Sequence, residues 1–262
     1  MIIKQNKIDF KNITFCIPVR IESMYRMKNL IATLHFLDRY VETNYIILEA
    51  DKTKLVKNDM NIRNMNYVFI NDEDEIFHRT KYINKMLSFV KTPFAAIWDT
   101  DVIVPIEQVH KAYLALHNNK HTLIYPYSGV FLCLNELVST LFSKTLDIRH
   151  IEAQSTKHLI HGSYSVGGAY MVNVGEYINA GGENENIYGW GPEDVERNAR
   201  IQILELGVKR IEGPLYHLFH TRGLNSSRAE PEIEMKKIKE FCDICGMTTS
   251  ELREYIKTWS WL

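Results

Sequence analysis

The chain has 262 residues, 45% of them apolar and 24% charged, with a formal net charge of −1. This is the balance of an ordinary globular protein, sized for one large α/β domain or one domain with an appendage. The charge provides no bulk basic field for nucleic acid, and no stretch reaches the length of a membrane-spanning helix.

Met1 to Lys7 carries charges where a signal peptide needs a long apolar run, so a cytoplasmic location is expected. Residues 13–18 read as a first strand, ended by Pro18. Leu30, Leu34 and Leu37 recur at helical spacing across 24–39. Residues 45–48 and 67–70 are the second and third strands, a helix runs from about Thr80 to Val90, and Phe94–Trp98 is a fourth, buried strand. Pro105 leads a helix over 106–116, and 122–125 is a further strand. Such alternation implies a mixed, mostly parallel, doubly wound sheet. From about 135 to 165 the pattern weakens, and His150, His158 and His161 read as exposed loop histidines. A strand returns at 170–173 behind Gly167 and Gly168, and a helix follows Pro192 to a stop near Gly207.

Residues 226–262 read as a helical extension packed on a domain spanning 1–225. Pro231 opens a helix with Ile233, Ile238, Phe241 and Cys242 along one side, and Thr248 with Glu251 forms a capping box for the last helix. The aromatic tail, Trp259 and Trp261, is expected to pack on the main domain, with a partner or membrane surface as the alternative. Among the four cysteines, Cys16 and Cys133 read as core thiols. Cys242 and Cys245 have no second pair nearby and read as one helical face, not a zinc site. The sequons at Asn12 and Asn225 carry little meaning without a secretory signal.

Three local patterns carry chemistry. Asp99 and Asp101 follow the buried strand, at the carboxyl end where open α/β sheets bind ligands. One carboxylate there can hold a hard cation while the other accepts from a ribose hydroxyl. His217 and His220 add imidazole nitrogen, a mix suited to Mn²⁺. Glu193 and Asp194 open a helix, where free N–H groups favour negative charge. Gly189-Trp190-Gly191 just before them offers a hinged loop whose indole can stack on a sugar, beside a carboxylate able to take a hydroxyl proton. Arg20, Arg26 and Arg79 stand at strand or helix ends suited to phosphate, and Phe77 to a base.

Across most of residues 12–225 these motifs resemble the metal-dependent, inverting GT-A glycosyltransferases of the β-1,4-galactosyltransferase type, with chondroitin polymerase and polypeptide GalNAc-transferase catalytic domains as more distant likenesses. Residues 17–20, Phe77-His78-Arg79, Trp98–Asp101, Val166-Gly167-Gly168, Gly189–Asp194 and His217–Arg222 carry the resemblance. It implies a GT-A fold in which Asp101, His217 and His220 hold Mn²⁺ or another divalent ion such as Mg²⁺. Asp99 would contact the ribose, Pro18 and Arg20 the nucleotide, Phe77 the uracil, Arg79 the phosphates, and Gly167 and Gly168 the donor. Asp194 would be the catalytic base, Glu193 an acceptor-holding residue and Trp190 the mobile stacking residue of a closing loop. The partners implied are a UDP-sugar donor and a glycan or lipid-linked oligosaccharide acceptor. The setting, by analogy, is bacterial surface polysaccharide synthesis, with peripheral membrane association through the C-terminal helices as an option. The sequence departs from the pattern at His217, where vertebrate members carry Met, at Pro192, which replaces a Gly, and at Ser165, where galactose-specific members often carry a bulky aromatic. A small residue at 165 leaves room for an N-acetyl group, so UDP-GalNAc stands beside UDP-galactose as donor. A nucleotidyltransferase is disfavoured because residues 18–27 contain no glycine. A non-catalytic UDP-sugar-binding module is disfavoured by the intact acids and histidines.

Overall fold

The computed structural model describes residues 7–56, 60–118, 120–153, 158, 159, 164–226 and 230–261. Its strands are β1 (Ile8–Val19), β2 (Val41–Asp51), β3 (Met65–Asn71), β4 (Phe94–Trp98), β5 (Val102–Ile103), β6 (Leu123–Tyr125), β7 (Phe131–Cys133), β8 (His158–Leu159), β9 (Ala169–Asn173), β10 (Val208–Arg210) and β11 (Leu215–His217). Its helices are α1 (Met24–Tyr40), α2 (Arg79–Leu87), α3 (Ile106–Leu116), α4 (Glu136–Thr145), α5 (Arg149–Glu152), α6 (Val174–Asn179), α7 (Glu193–Ile203), α8 (Pro231–Cys245) and α9 (Thr249–Ile256).

The main sheet has the order β10-β6-β9-β4-β1-β2-β3. β1 pairs in parallel with β2 and β4, β2 with β3, and β6 with β10, whereas β9 runs antiparallel to both its neighbours. The mostly parallel, doubly wound sheet expected from the alternation is therefore present. All of β4 is buried, as a strand covered on both faces must be, and Ala95, Ala96, Ile97 and Trp98 sit in the main core with Phe15 and Ile17 of β1. The chain leaves β1 in one direction to β2 and β3 and returns on its other side as β4. That reversal opens a crevice at the carboxyl ends of β1 and β4.

Pro18 does not end β1 as expected: it pairs with Leu48 and the strand continues to Val19. It stands one residue from the strand end, where few ladder bonds are left to lose. A second sheet, β5-β11-β7-β8, was not anticipated, because strands of two or three residues are too short to show alternation. It sets His217 of β11 opposite Val102 of β5 and thereby beside Asp101. The weakly patterned region holds α4, capped by the Asn135 side chain accepting from the Val138 amide at 2.9 Å. His150 is not a loop residue; it lies half-buried on α5, 3.0 Å from the Thr145 hydroxyl. The backbone of His158 belongs to β8, and His161 lies outside the described residues.

The buried side of α8 differs from the expected stripe. Lys237 and Ile244 are buried, whereas Ile238 is 47% exposed and Cys242 and Cys245 are exposed. Ile244, Leu252, Ile256 and Trp259 join the main core, and the Trp259 ring stacks on Trp261 at 4.8 Å. Among the described residues no helix is long and apolar enough to cross a membrane.

Candidate active site

A cleft of about 550 Å³ opens at the reversal between β1 and β4. Pro18, Arg20, Phe77, Arg79, Asp99, Asp101, Gly167, Gly168, Trp190, Glu193, Asp194, His217 and His220 all line it. The residues singled out in the sequence are thus brought together, though they come from segments up to 200 positions apart.

At one end Asp101, only 2% exposed, faces both histidines. Its Oδ1 is 3.3 Å from His217 Nε2 and its Oδ2 is 3.3 Å from His220 Nε2. One ligand atom from each of the three falls within 4.8 Å of the others. A carboxylate with two imidazoles is a donor set that fits Mn²⁺ or a similar divalent ion. Without a cation the three groups satisfy one another. Burial disfavours charge on His217, but the Asp101 carboxylate outweighs it and lifts the imidazole to about 10. Burial would raise Asp101 too, yet His217, Arg26 and His220 hold it well below the usual carboxylate range. His220 is pushed below its ordinary value, chiefly by burial. Two neighbours at this end had not been read from the sequence in these roles. Cys133 is half-buried, not a core thiol, and its Sγ lies 3.6 Å from His217 Nδ1, on the ring edge away from Asp101. Arg26 Nη1 lies 3.1 Å from Asp101 Oδ2, so this guanidinium reaches an acid where a phosphate had been expected.

Arg20 stands over the Phe77 ring at 5.3 Å and is fixed by the Ala50 carbonyl at 2.8 Å and by Asp72 at 2.5 Å. Arg79 binds Asp99 at 2.6 Å, and its Nη1 is buried without a hydrogen-bond partner, 3.9 Å from Asp194.

The opposite wall is the start of α7. Asp194 is held by Arg197 one helical turn on, at 2.6 Å from Oδ1. Arg197 is fully buried; it leans on Glu183 at 3.2 Å, and its guanidinium lies 3.7 Å from the Tyr170 ring centroid. Tyr170 and Tyr177 both donate to Glu183. The i,i+3 spacing of Asp194 and Arg197 was visible in the sequence, but Glu183 and the two tyrosines were not. Asp194 Oδ2 rests against Gly167: a Cβ there would come within 2.3 Å of it. Glu193 is 5% exposed, and burial, then the Asp194 charge, push it up to about 8. Trp190 is 41% exposed at the mouth of the cleft.

The sequence of residues 147–222 matches the family model described as the N-terminal domain of galactosyltransferase. No curated protein sequence matches the chain significantly. Among solved structures, the catalytic domain of Drosophila β1,4-galactosyltransferase 7 in complex with xylobiose is similar at 16% identity and a TM-score of 0.54, over 87% of this chain and 79% of that one. A mutant of the fly enzyme, in complex with manganese, UDP-Gal and xylobiose, gives 0.55 over the same shares at 16% identity. Glucosyl-3-phosphoglycerate synthase from Mycobacterium tuberculosis, with Mn²⁺, UDP and phosphoglyceric acid, gives 0.51 at 12% identity, over 91% of this chain and 80% of that one. The fold is the GT-A glycosyltransferase fold.

Proposed function

We propose that the protein is an inverting glycosyltransferase that moves galactose or N-acetylgalactosamine from a UDP-sugar to a hydroxyl of an acceptor glycan. One observation carries this reading: the Asp101, His217 and His220 cluster and the Asp194 carboxylate face the same cleft, at the carboxyl ends of the central strands. The GT-A fold, the match to a galactosyltransferase domain and the UDP-Gal and UDP complexes of two structural neighbours support it.

In this reading residues 1–225 form the transferase domain and 226–262 its helical extension. Asp101, His217 and His220 would hold a divalent cation, which supplies positive charge to the diphosphate leaving group. Arg79 adds to that charge, and its unpartnered Nη1 is the donor left for a phosphate oxygen. Phe77, buttressed by Arg20 and stacked on Tyr82 at 5.3 Å, offers its ring to uracil. Asp99 accepts from the ribose, and Pro18, Gly167 and Gly168 form the walls along the donor. Trp190 gives the acceptor sugar an apolar platform, and Glu193 lines the wall beside it. Asp194, kept in place by Arg197, takes the proton of the attacking hydroxyl. Attack from the face opposite the diphosphate is a single displacement, so an α-linked donor yields a β-glycoside.

Ser165 lines the cleft beside the glycine pair, and Tyr127 donates to its hydroxyl at 3.4 Å. Its small side chain leaves room for an N-acetyl group on the donor. The acceptor in this reading is a growing surface polysaccharide or a lipid-linked oligosaccharide. The test is UDP release from a panel of nucleotide-sugars, with Mn²⁺ and with chelator. Mn²⁺-dependent release from UDP-Gal or UDP-GalNAc is the expected outcome. No release from any donor, together with no UDP binding, overturns the proposal.

A further inference from the structure

Lysine is seldom fully buried, and a buried one has a partner that explains it. Lys237 of α8 is 1% exposed. Its ammonium donates to the Trp190 carbonyl at 2.5 Å and pairs with Glu234, one helical turn back, at 2.5 Å. The other end of that same peptide group is also held, because the Gly191 N–H donates to Glu193 Oε2 at 2.8 Å. The Trp190–Gly191 peptide therefore lies between a cation at its carbonyl end and a carboxyl group at its amide end, each against the matching pole of its dipole. Glycine at 191 permits this approach: a Cβ there would stand 3.0 Å from the lysine Nζ. Three residues further along α8, Glu240 accepts from Asn184 at 2.8 Å and from Asn186 at 3.1 Å. One helix thus grips the loop before α7 at two points, and the charge at its buried centre is spent on the residue that faces the cleft mouth.

We propose that Lys237 is a positioning residue: through the Trp190–Gly191 peptide, α8 sets the direction of the Trp190 indole and so the acceptor side of the cleft. The inference rests on the acceptor role given to Trp190 above. It assigns the C-terminal helices a task in the reaction, where the sequence offered only packing or docking.

Two variants test it. Lys237→Met keeps an unbranched stem and removes the cation. Gly191→Ala leaves α8 and Lys237 intact and crowds the ammonium away from its carbonyl. Hydrogen exchange is read first, on the protein without substrate. In both variants the amides of 189–191 should exchange roughly tenfold faster, the cost of one charge-assisted hydrogen bond, while those of β1 and β4 keep their rates. With substrates, the acceptor KM should rise by about the same factor while UDP binding with Mn²⁺ and slow donor hydrolysis hold steady. Unchanged exchange at 189–191 in either variant overturns the inference, as does an unchanged acceptor KM alongside faster exchange. Loss of protection spread evenly over α7, α8 and α9, with UDP binding falling in step, also overturns it, since simple packing would behave that way. An unaltered protein with no transferase activity would sink the proposed function, and the exchange measurement would still decide the brace itself.

Discussion

The two walls of the cleft are held by different means. On the β1–β4 side, Arg20 is fixed to the carbonyls of Ala50 and Asp74, both at 2.8 Å, besides its pair with Asp72. On the α7 side, Asp194, Arg197 and Glu183 form a row of charges, and Lys237 reaches in from α8, later in the chain. A side chain held by backbone carbonyls keeps those partners when a neighbouring side chain is changed. A wall of buried charges loses more, because each group left behind is an uncompensated charge. In the proposed function nucleotide binding falls to the first wall and transfer to the second, so substitutions on the two should fail differently.

The largest separation is expected from paired single substitutions. Asp194→Asn should cut transfer by about 10² to 10⁴-fold, the range for losing a positioned base, while UDP binding with Mn²⁺ stays near normal by calorimetry. Asp101→Ala should abolish Mn²⁺-dependent UDP binding and transfer together. If Asp194→Asn also destroyed UDP binding, the division between the walls would be wrong. Next in size, Gly167→Ala brings a methyl to within 2.3 Å of Asp194 Oδ2. Displacing the base by about an ångström should cost roughly 10²-fold in kcat with a smaller change in donor KM, measured by steady-state kinetics.

A smaller effect concerns pH. His217, lifted to about 10, is protonated in the cation-free protein at neutral pH, whereas His220 is already neutral there. A cation can bind His217 only after that proton leaves. Apparent Mn²⁺ affinity should therefore rise with pH, by about tenfold per unit between pH 6 and 8, and fall as pH drops. Titration at three pH values checks this, and a flat profile would show that His217 carries no proton in the free site.

Much of the cleft was legible because its signals are local. The buried run before Asp99, the acids at the start of α7 and the His217–His220 spacing each fit within a few residues, and so do the helix caps at Thr248 and Glu251. What stayed hidden depends on residues far apart in the chain. Cys133 reads as apolar filler until β7 is paired with β11, which sets it opposite His217. Lys237 reads as a polar position on an amphipathic helix, and periodicity placed Ile238 on the buried side in its stead. On the buried face Lys237 meets the Trp190 carbonyl, a contact that no helical spacing can reveal. The strands of the second sheet escaped for a simpler reason: two or three residues do not make a period.

That small sheet gives the cluster of Asp101, His217 and His220 a mechanical side. β5 and β11 pair through only two residues each, yet they join Val102 to His217, parts of the chain far apart in sequence. The Leu218 amide adds a bond to the Asp101 carbonyl at 2.8 Å. A cation shared between the two strands would act there as a removable staple across a long loop, stabilising by mass action in proportion to its free concentration and its affinity. Scarcity of metal would then loosen the same joint that shapes the donor site, linking resistance to heat and proteolysis to the ion supply around the protein.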